Sequence, residues 1–113
     1  MALNTAALTA AGGGLADVIT HIALHTAQPD GTGSNPAASA RQPVSWTNTD
    51  GVLTSGTLNF TGVAASGAVT HIGYWGALTG GTFYGWHAIT GDQAANAAGE
   101  FTVTQATLTG SAT

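Results

Sequence analysis

Two segments of this chain share one pattern of apolar and polar positions. Residues 20–26 read THIALHT and residues 70–76 read THIGYWG, so both begin with Thr-His-Ile and then alternate. A period of two places successive side chains on opposite faces of a β-strand. Ile22 and Leu24 therefore lie on one face of the first strand, and the matching positions of the second strand do the same. We expect these to be corresponding central strands of one β-domain, although an internal duplication is an alternative explanation of the match.

Further segments with the same alternation predict more strands, separated by turns. The Asp-Gly pair at 50–51 and the Gly-Gly pair at 80–81 are typical of tight turns, because they tolerate a positive φ. Residues 27–40 combine Pro, Asp-Gly and small polar residues, which predicts a long surface loop of the kind that is functional or contacts a partner. Two of the predicted strands have an inward face: RQPVSWT at 41–47 with Val44 and Trp46 inward, and GTLNFTGV at 56–63 with Leu58 and Phe60 inward. In TFYGWHAI at 82–89, Tyr84 and Trp86 share one face, and Phe83 and His87 share the other. In GEFTVTQATLTG at 99–110, Phe101 and Val103 share one face, and Thr102, Thr104 and Ala106 share the other.

The beginning of the chain has helical rather than strand spacing. Apolar residues recur at three- and four-residue intervals from Leu3, and Asn4 or Thr5 is a suitable N-cap. We expect a short helix within an N-terminal arm, residues 1–17, that ends where Gly12, Gly13 and Gly14 interrupt it. With this exception the pattern predicts a mostly β protein: a single antiparallel β-sandwich or jelly-roll-like domain over residues 1–113.

Charge is the most informative part of the composition. The 113 residues include one cation, Arg41, and five acids, for a net charge of −4. A free monomer normally stays soluble through a well-charged surface, so this composition indicates surfaces covered by copies of the chain or by partners. Binding of nucleic acid or an anionic membrane is not expected, because both need several cations.

The residues that catalyse common reactions do not form a recognisable site. Cysteine is absent, the four histidines match no zinc-site spacing, and no Gly-x-Ser-x-Gly motif occurs. Asp30, Asp50 and Asp92 each stand beside a glycine, where a role in turns explains them. We therefore predict no enzymatic activity, no catalytic residues, no metal and no cofactor.

Candidate interface residues follow from the charge and the aromatic content. Arg41 has no substitute in the chain, so we expect its guanidinium to pair with an acid of its own chain or of a neighbour. Trp75 and His71 fall on the face opposite Ile72, where we expect Trp75 to be partly exposed and covered by a partner. Trp86 is instead expected in the core. The five candidates are Arg41, His71 and Trp75, together with Pro29 and Asp30 of the long loop.

The order of these motifs resembles a known family. HIALHTAQPDGTGSNP, ARQPVSW, VTHIGYWGALTGGTFYGWHAI and GEFTVTQATLTG follow one another as in small structural proteins of tailed bacteriophages, especially those of actinobacterial hosts. The resemblance implies a short N-terminal helix leading into a β-domain, and a place in the virion as a capsid decoration (minor capsid) or minor tail subunit.

Composition and resemblance together predict a non-enzymatic virion protein made in the host cytoplasm. Its expected partners are further copies of itself, in a homotrimer, and other virion proteins such as the major capsid or tail proteins. The alternative is a carbohydrate- or host-receptor-binding β-sandwich module in which an exposed Trp75 or Trp86 stacks on a glycan.

Overall fold

The computed structural model describes residues 4–37, 39–63, 68–89, 96 and 98–109. Within them the chain forms one helix and nine short strands, arranged as three antiparallel sheets, which confirms the mostly β fold with an N-terminal helix. The elements are α1 (Thr5–Val18), β1 (His21–His25), β2 (Gln42–Pro43), β3 (Thr47–Thr49), β4 (Val52–Thr54), β5 (Leu58–Phe60), β6 (His71–Trp75), β7 (Phe83–Ala88), β8 (Phe101–Val103) and β9 (Thr107–Thr109).

The two Thr-His-Ile segments are neighbours in the largest sheet. Its strand order is β2-β1-β6-β7, and β1 and β6 pair antiparallel with Ile22 opposite Tyr74 and Leu24 opposite Ile72. These four side chains are buried in the core, as their alternation predicts. The repeated pattern thus supplies the two central strands of one sheet.

The threonine and histidine that open each strand also match in detail. The hydroxyl of Thr20 lies 2.9 Å from Nδ1 of His21, and the hydroxyl of Thr70 lies 2.7 Å from Nδ1 of His71. The backbone N–H of Thr20 bonds to the carbonyl of Trp75, and that of Thr70 bonds to the carbonyl of His25, both at 3.0 Å. Each Thr-His pair therefore continues the pairing of β1 and β6 beyond the strand ends.

Two smaller sheets close the core. One has the order β3-β4-β9 and the other joins β5 to β8. β3 and β4 are linked by a two-residue turn in which Asp50 has a φ of 53° and Gly51 a φ of 87°, the conformation predicted for this Asp-Gly pair. The core is formed by buried residues of the four-stranded and two-stranded sheets and of the segments that flank them, and Leu108 of β9 packs against it. The buried residues are Ile19, Ile22, Leu24, Phe60, Val63, Val69, Ile72, Tyr74, Phe101 and Ala106.

The prediction of one continuous strand at residues 99–110 is wrong. The segment divides into β8, which pairs with β5, and β9, which pairs with β4. Where the chain passes from one sheet to the next, Ala106 turns into the core and its N–H donates to the hydroxyl of Ser55 at 2.8 Å. A change of sheet resets the alternation, so Ala106 is buried and not on the outer face.

The helix does not end at the glycines. Asn4 caps it by accepting a hydrogen bond from the N–H of Ala7 at 2.9 Å, as predicted, but α1 continues through Gly12–Gly14 to Val18. A Cβ on Gly12 would lie 3.0 Å from the side chain of Asn48 and 3.1 Å from the Cα of Gly51. The glycine thus permits close packing of α1 on β3 and β4, and this tertiary contact overrides its low helix propensity.

Candidate interaction surface

An aromatic cluster lies on the face of the four-stranded sheet that is turned away from the core. The indole of Trp75 stacks on the imidazole of His25 with ring centroids 6.3 Å apart and planes 4° from parallel. Phe83 packs against the same indole at 5.0 Å. A Cβ on Gly73 of β6 would meet both His25 and Phe83, so the glycine allows these two rings to pack closely.

His25 is fully buried within this cluster. Its Nδ1 lies 2.9 Å from the carbonyl oxygen of Ser34, which only accepts hydrogen bonds, so Nδ1 carries the proton. Its Nε2 is then the acceptor for the indole N–H of Trp75, 3.4 Å away. The neutral imidazole therefore connects the sheet to the loop that contains Ser34.

That loop covers the aromatic cluster. Residues 27–35, here called the covering loop, leave β1 and return beside it, because the N–H of Thr26 donates to the carbonyl of Asn35 at 3.0 Å. Gly33 rests on the indole: its φ is 80°, and a Cβ there would lie 2.5 Å from Cη2 of Trp75. Pro29 of the loop is also buried.

The predicted exposure of Trp75 is therefore wrong. Only 8% of the side chain is accessible, although it lies on the outer face as the alternation indicates. The covering loop buries it within one chain, so exposure to a partner no longer supports an interface role for this residue.

Arg41 also binds the Trp75 indole. Its guanidinium carbon lies 3.6 Å from the ring centroid, a cation–π contact, and its Nη1 donates to the carbonyls of Ala77 at 2.8 Å and Gly80 at 2.7 Å. The predicted ion pair is not seen: among the described residues the guanidinium contacts carbonyls and a ring, and no acid. Arg41 instead holds the loop between β6 and β7 against the rest of the chain.

The β6–β7 hairpin itself is confirmed, with an altered geometry. Gly80 and Gly81 have φ values of 60° and 74°, as predicted, but the connection spans residues 76–82. A register shift between Tyr74 and Trp75 places Phe83 opposite Trp75 and Trp86 opposite Gly73. Phe83 and Trp86 consequently share the outer face. The uninterrupted alternation of the sequence predicts them on different faces.

Trp86 is exposed and not part of the core. It retains 42% of its accessible surface because β7 has a neighbour in the described sheet on one side only. Its ring meets His71 edge to face at 5.2 Å, so the indole is exposed to solvent and also held by one ring contact within the sheet. The expected locations of the two tryptophans are thus reversed.

A cleft of about 250 Å³ separates the covering loop from β7. In the loop, Asp30 accepts hydrogen bonds from the hydroxyl of Thr32 at 2.6 Å and from the N–H of Thr32 at 2.8 Å. These bonds lower the pKa of the exposed carboxyl below its usual value. Asp30 is therefore ionised at neutral pH. The cleft is lined by Pro29, Asp30, Gly31, Phe83, Tyr84, Gly85 and Trp86.

The structure brings the five candidate residues to one face of the largest sheet. Arg41 and Trp75 lie in the covered part, Pro29 and Asp30 border the cleft, and His71 supports Trp86. Sequence reasoning missed His25 and Gly33, whose roles depend on how the loop folds over the sheet. In the described part of the chain no three His, Asp or Glu side chains are grouped closely enough to hold a metal, and no helix there is long and apolar enough to cross a membrane.

Acidification is expected to destabilise the fold through His25. Burial, and next the charge of Arg41 and the nearby His71, hold the pKa of His25 below its ordinary value of 6.5, although the Ser34 carbonyl opposes this. As pH falls through 6.5 the unfolded chain binds a proton that the folded chain resists, so stability falls until the folded-state pKa is reached. The melting temperature should therefore decrease between about pH 7.5 and about pH 5.5.

Two measurements test this assignment. An NMR titration of His25 should show its imidazole titrating below 6.5. The His25→Gln variant does not titrate, so its melting temperature should depend less on pH over this interval. A His25 titration at or above 6.5, or an unchanged pH dependence in the variant, would contradict the expectation.

Comparison with known proteins identifies the family. The model of the family described as podophage GP4 fiber I protein gp80 matches residues 2–111, which is nearly the whole chain. No curated protein and no solved structure gives a significant match. The match confirms the resemblance to structural proteins of tailed phages and a location in the virion. The chain thus belongs to the family of podophage GP4 fiber I protein gp80, a family of tailed-phage virion structural proteins.

Proposed function

We propose that this protein is a non-enzymatic tail-fibre subunit whose copies associate into a closed homo-oligomer, with three copies as the expected number. The fibre description of the family supports the tail over a capsid decoration. The low charge supports association, since the whole sequence contains one cation and five acids.

One surface in particular suits contact between copies. Leu15 and Val18 of α1 are 37% and 40% exposed, and with the exposed Ala11 they follow the i, i+4, i+7 spacing of one helical stripe. Gly12, on another side of the helix, already packs on β3 and β4. Symmetric packing of this apolar stripe around a shared axis would bury it, as in other helical oligomers.

The number of copies tests the association. Light scattering of the purified protein should give a mass of about three chains. Leu15→Glu should shift the protein toward monomer, because it places a charge on the stripe while glutamate remains a good helix former. Ala10→Glu adds the same charge at an exposed position on a different side of α1 and should leave the mass unchanged. A monomeric wild-type protein, or equal effects of both variants, would refute this mode of assembly.

The position in the particle tests the assignment to the fibre. Immunogold labelling of intact virions with antibodies against this chain should decorate the tail region. Labelling spread over the capsid would instead support the capsid-decoration role.

A further inference from the structure

We infer that the cleft between the covering loop and β7 binds a neutral pyranose ring, which stacks on Trp86 and donates hydrogen bonds from its hydroxyl groups to the Asp30 carboxylate. The inference concerns a different surface from the α1 stripe and does not depend on the proposed mode of assembly.

The indole of Trp86 has the character of a binding platform. It is a large aromatic ring, 42% exposed, on a strand whose backbone is held in a sheet. His71 contacts it edge to face at 5.2 Å, and the imidazole of His71 is itself fixed by the Thr70 hydroxyl at 2.7 Å. An indole supported in this way offers a flat apolar face to the C–H groups of a sugar at little cost in side-chain entropy.

The opposite wall supplies polar groups on a rigid loop. Asp30 lines the cleft and is exposed, and its carboxylate has more lone-pair positions than its contacts within the loop use. Thr32 fixes the carboxylate, while Gly33 and Ser34 anchor the loop to Trp75 and His25. An apolar surface with a few fixed polar groups is typical of small-ligand sites.

Charge limits the class of ligand. Arg41 is the only arginine or lysine in the sequence, and its guanidinium is engaged with the Ala77 and Gly80 carbonyls and the Trp75 ring. The cleft therefore has no lysine or arginine to bind an acidic sugar, and the ionised Asp30 repels one. The volume of about 250 Å³ suits a single ring better than a long oligosaccharide.

The test is an NMR titration of the full chain in the oligomeric state in which it is purified. The neutral probes are methyl β-D-glucopyranoside, methyl β-D-galactopyranoside and N-acetyl-D-glucosamine, with D-glucuronate and choline as charged comparisons. At least one neutral probe should shift the indole N–H signal of Trp86 saturably, with a Kd on the order of 1 mM. The signals of Trp46 and Trp75, whose indoles bond to Ile19 and His25, should stay in place.

Matched variants separate the two walls of the cleft. Trp86→Ala should abolish the binding, and Trp86→Phe should retain part of it because a smaller ring remains. Asp30→Asn keeps the turn, since asparagine accepts the same hydrogen bonds, but should weaken binding about five-fold through loss of the charged acceptor. Asp17→Asn and Leu78→Ala alter an exposed acid and a 53% exposed apolar residue outside the cleft, and should change nothing.

Several results would overturn the inference. One is the absence of saturable shifts with all three neutral probes. Another is binding that survives Trp86→Ala. Tighter binding of choline or glucuronate than of every neutral probe would assign the cleft to an ion instead. Retained sugar binding in the Leu15→Glu variant would support the cleft even if the proposed assembly failed.

Discussion

Trp75→Ala is expected to lower the free energy of unfolding by about 3 to 5 kcal/mol, the usual cost of removing a large buried aromatic side chain. The substitution removes the ring that Arg41, His25 and Gly33 all contact, so the covering loop loses its support at the same time. Small domains have a total stability of about 5 to 15 kcal/mol, so the substitution should remove a large share of it.

Trp86→Ala is the matched control for this substitution. It deletes the same side chain from a position with 42% exposure, and we expect a change within about 1 kcal/mol. Urea denaturation followed by circular dichroism measures both values. Equal destabilisation by the two substitutions would contradict the burial of Trp75 beneath the covering loop.

Gly73→Ala is expected to cost about 3 kcal/mol through overpacking. The added Cβ would collide with Nε2 of His25 and lie 2.8 Å from its Cδ2, with Phe83 3.1 Å away on another side. The imidazole is fully buried and held by the Ser34 carbonyl, so it has no space into which to turn. Relief of the collision must displace the ring and the covering loop together.

Gly56→Ala provides the comparison for Gly73→Ala. A Cβ at Gly56 meets nothing within 4 Å, so this substitution should be neutral or slightly stabilising. Thermal melting of the two variants under identical conditions distinguishes them. A Gly73→Ala protein as stable as the Gly56→Ala protein would show that the cluster tolerates a methyl group at its centre.

Local sequence patterns predicted the elements of the core well. The alternation of Ile22 and Leu24 identified β1 and its inner face, and the Asp50-Gly51 pair identified a turn with two positive φ angles. These features depend on neighbouring residues alone, and for that reason a pattern of two or three positions is enough to predict them.

The errors arose where distant parts of the chain decide the outcome. Alternation places Trp75 on the outer face, but it does not reveal that the covering loop closes over that face. The register shift between β6 and β7 places Trp86 on the same face as Phe83. The change of sheet between β8 and β9 turns Ala106 from the predicted outer face into the core. The low intrinsic helix propensity of Gly12 was overridden by packing on Asn48. The interaction surface therefore depends on long-range contacts that local periodicity does not encode.

The pairing of early with late strands has a consequence for how the chain folds. The bond between Trp75 and His25 joins residues 50 apart, that between Ala106 and Ser55 joins residues 51 apart, and that between Thr102 and Asn59 joins residues 43 apart. Domains dominated by such distant contacts fold slowly, in milliseconds to seconds. The chain must first lose the conformational entropy of a long loop, and only then do the contacts stabilise the structure. β1 also has no central partner until the ribosome has synthesised β6. The nascent chain thus leaves its apolar strands unpaired for much of translation, when their low charge gives little protection against aggregation.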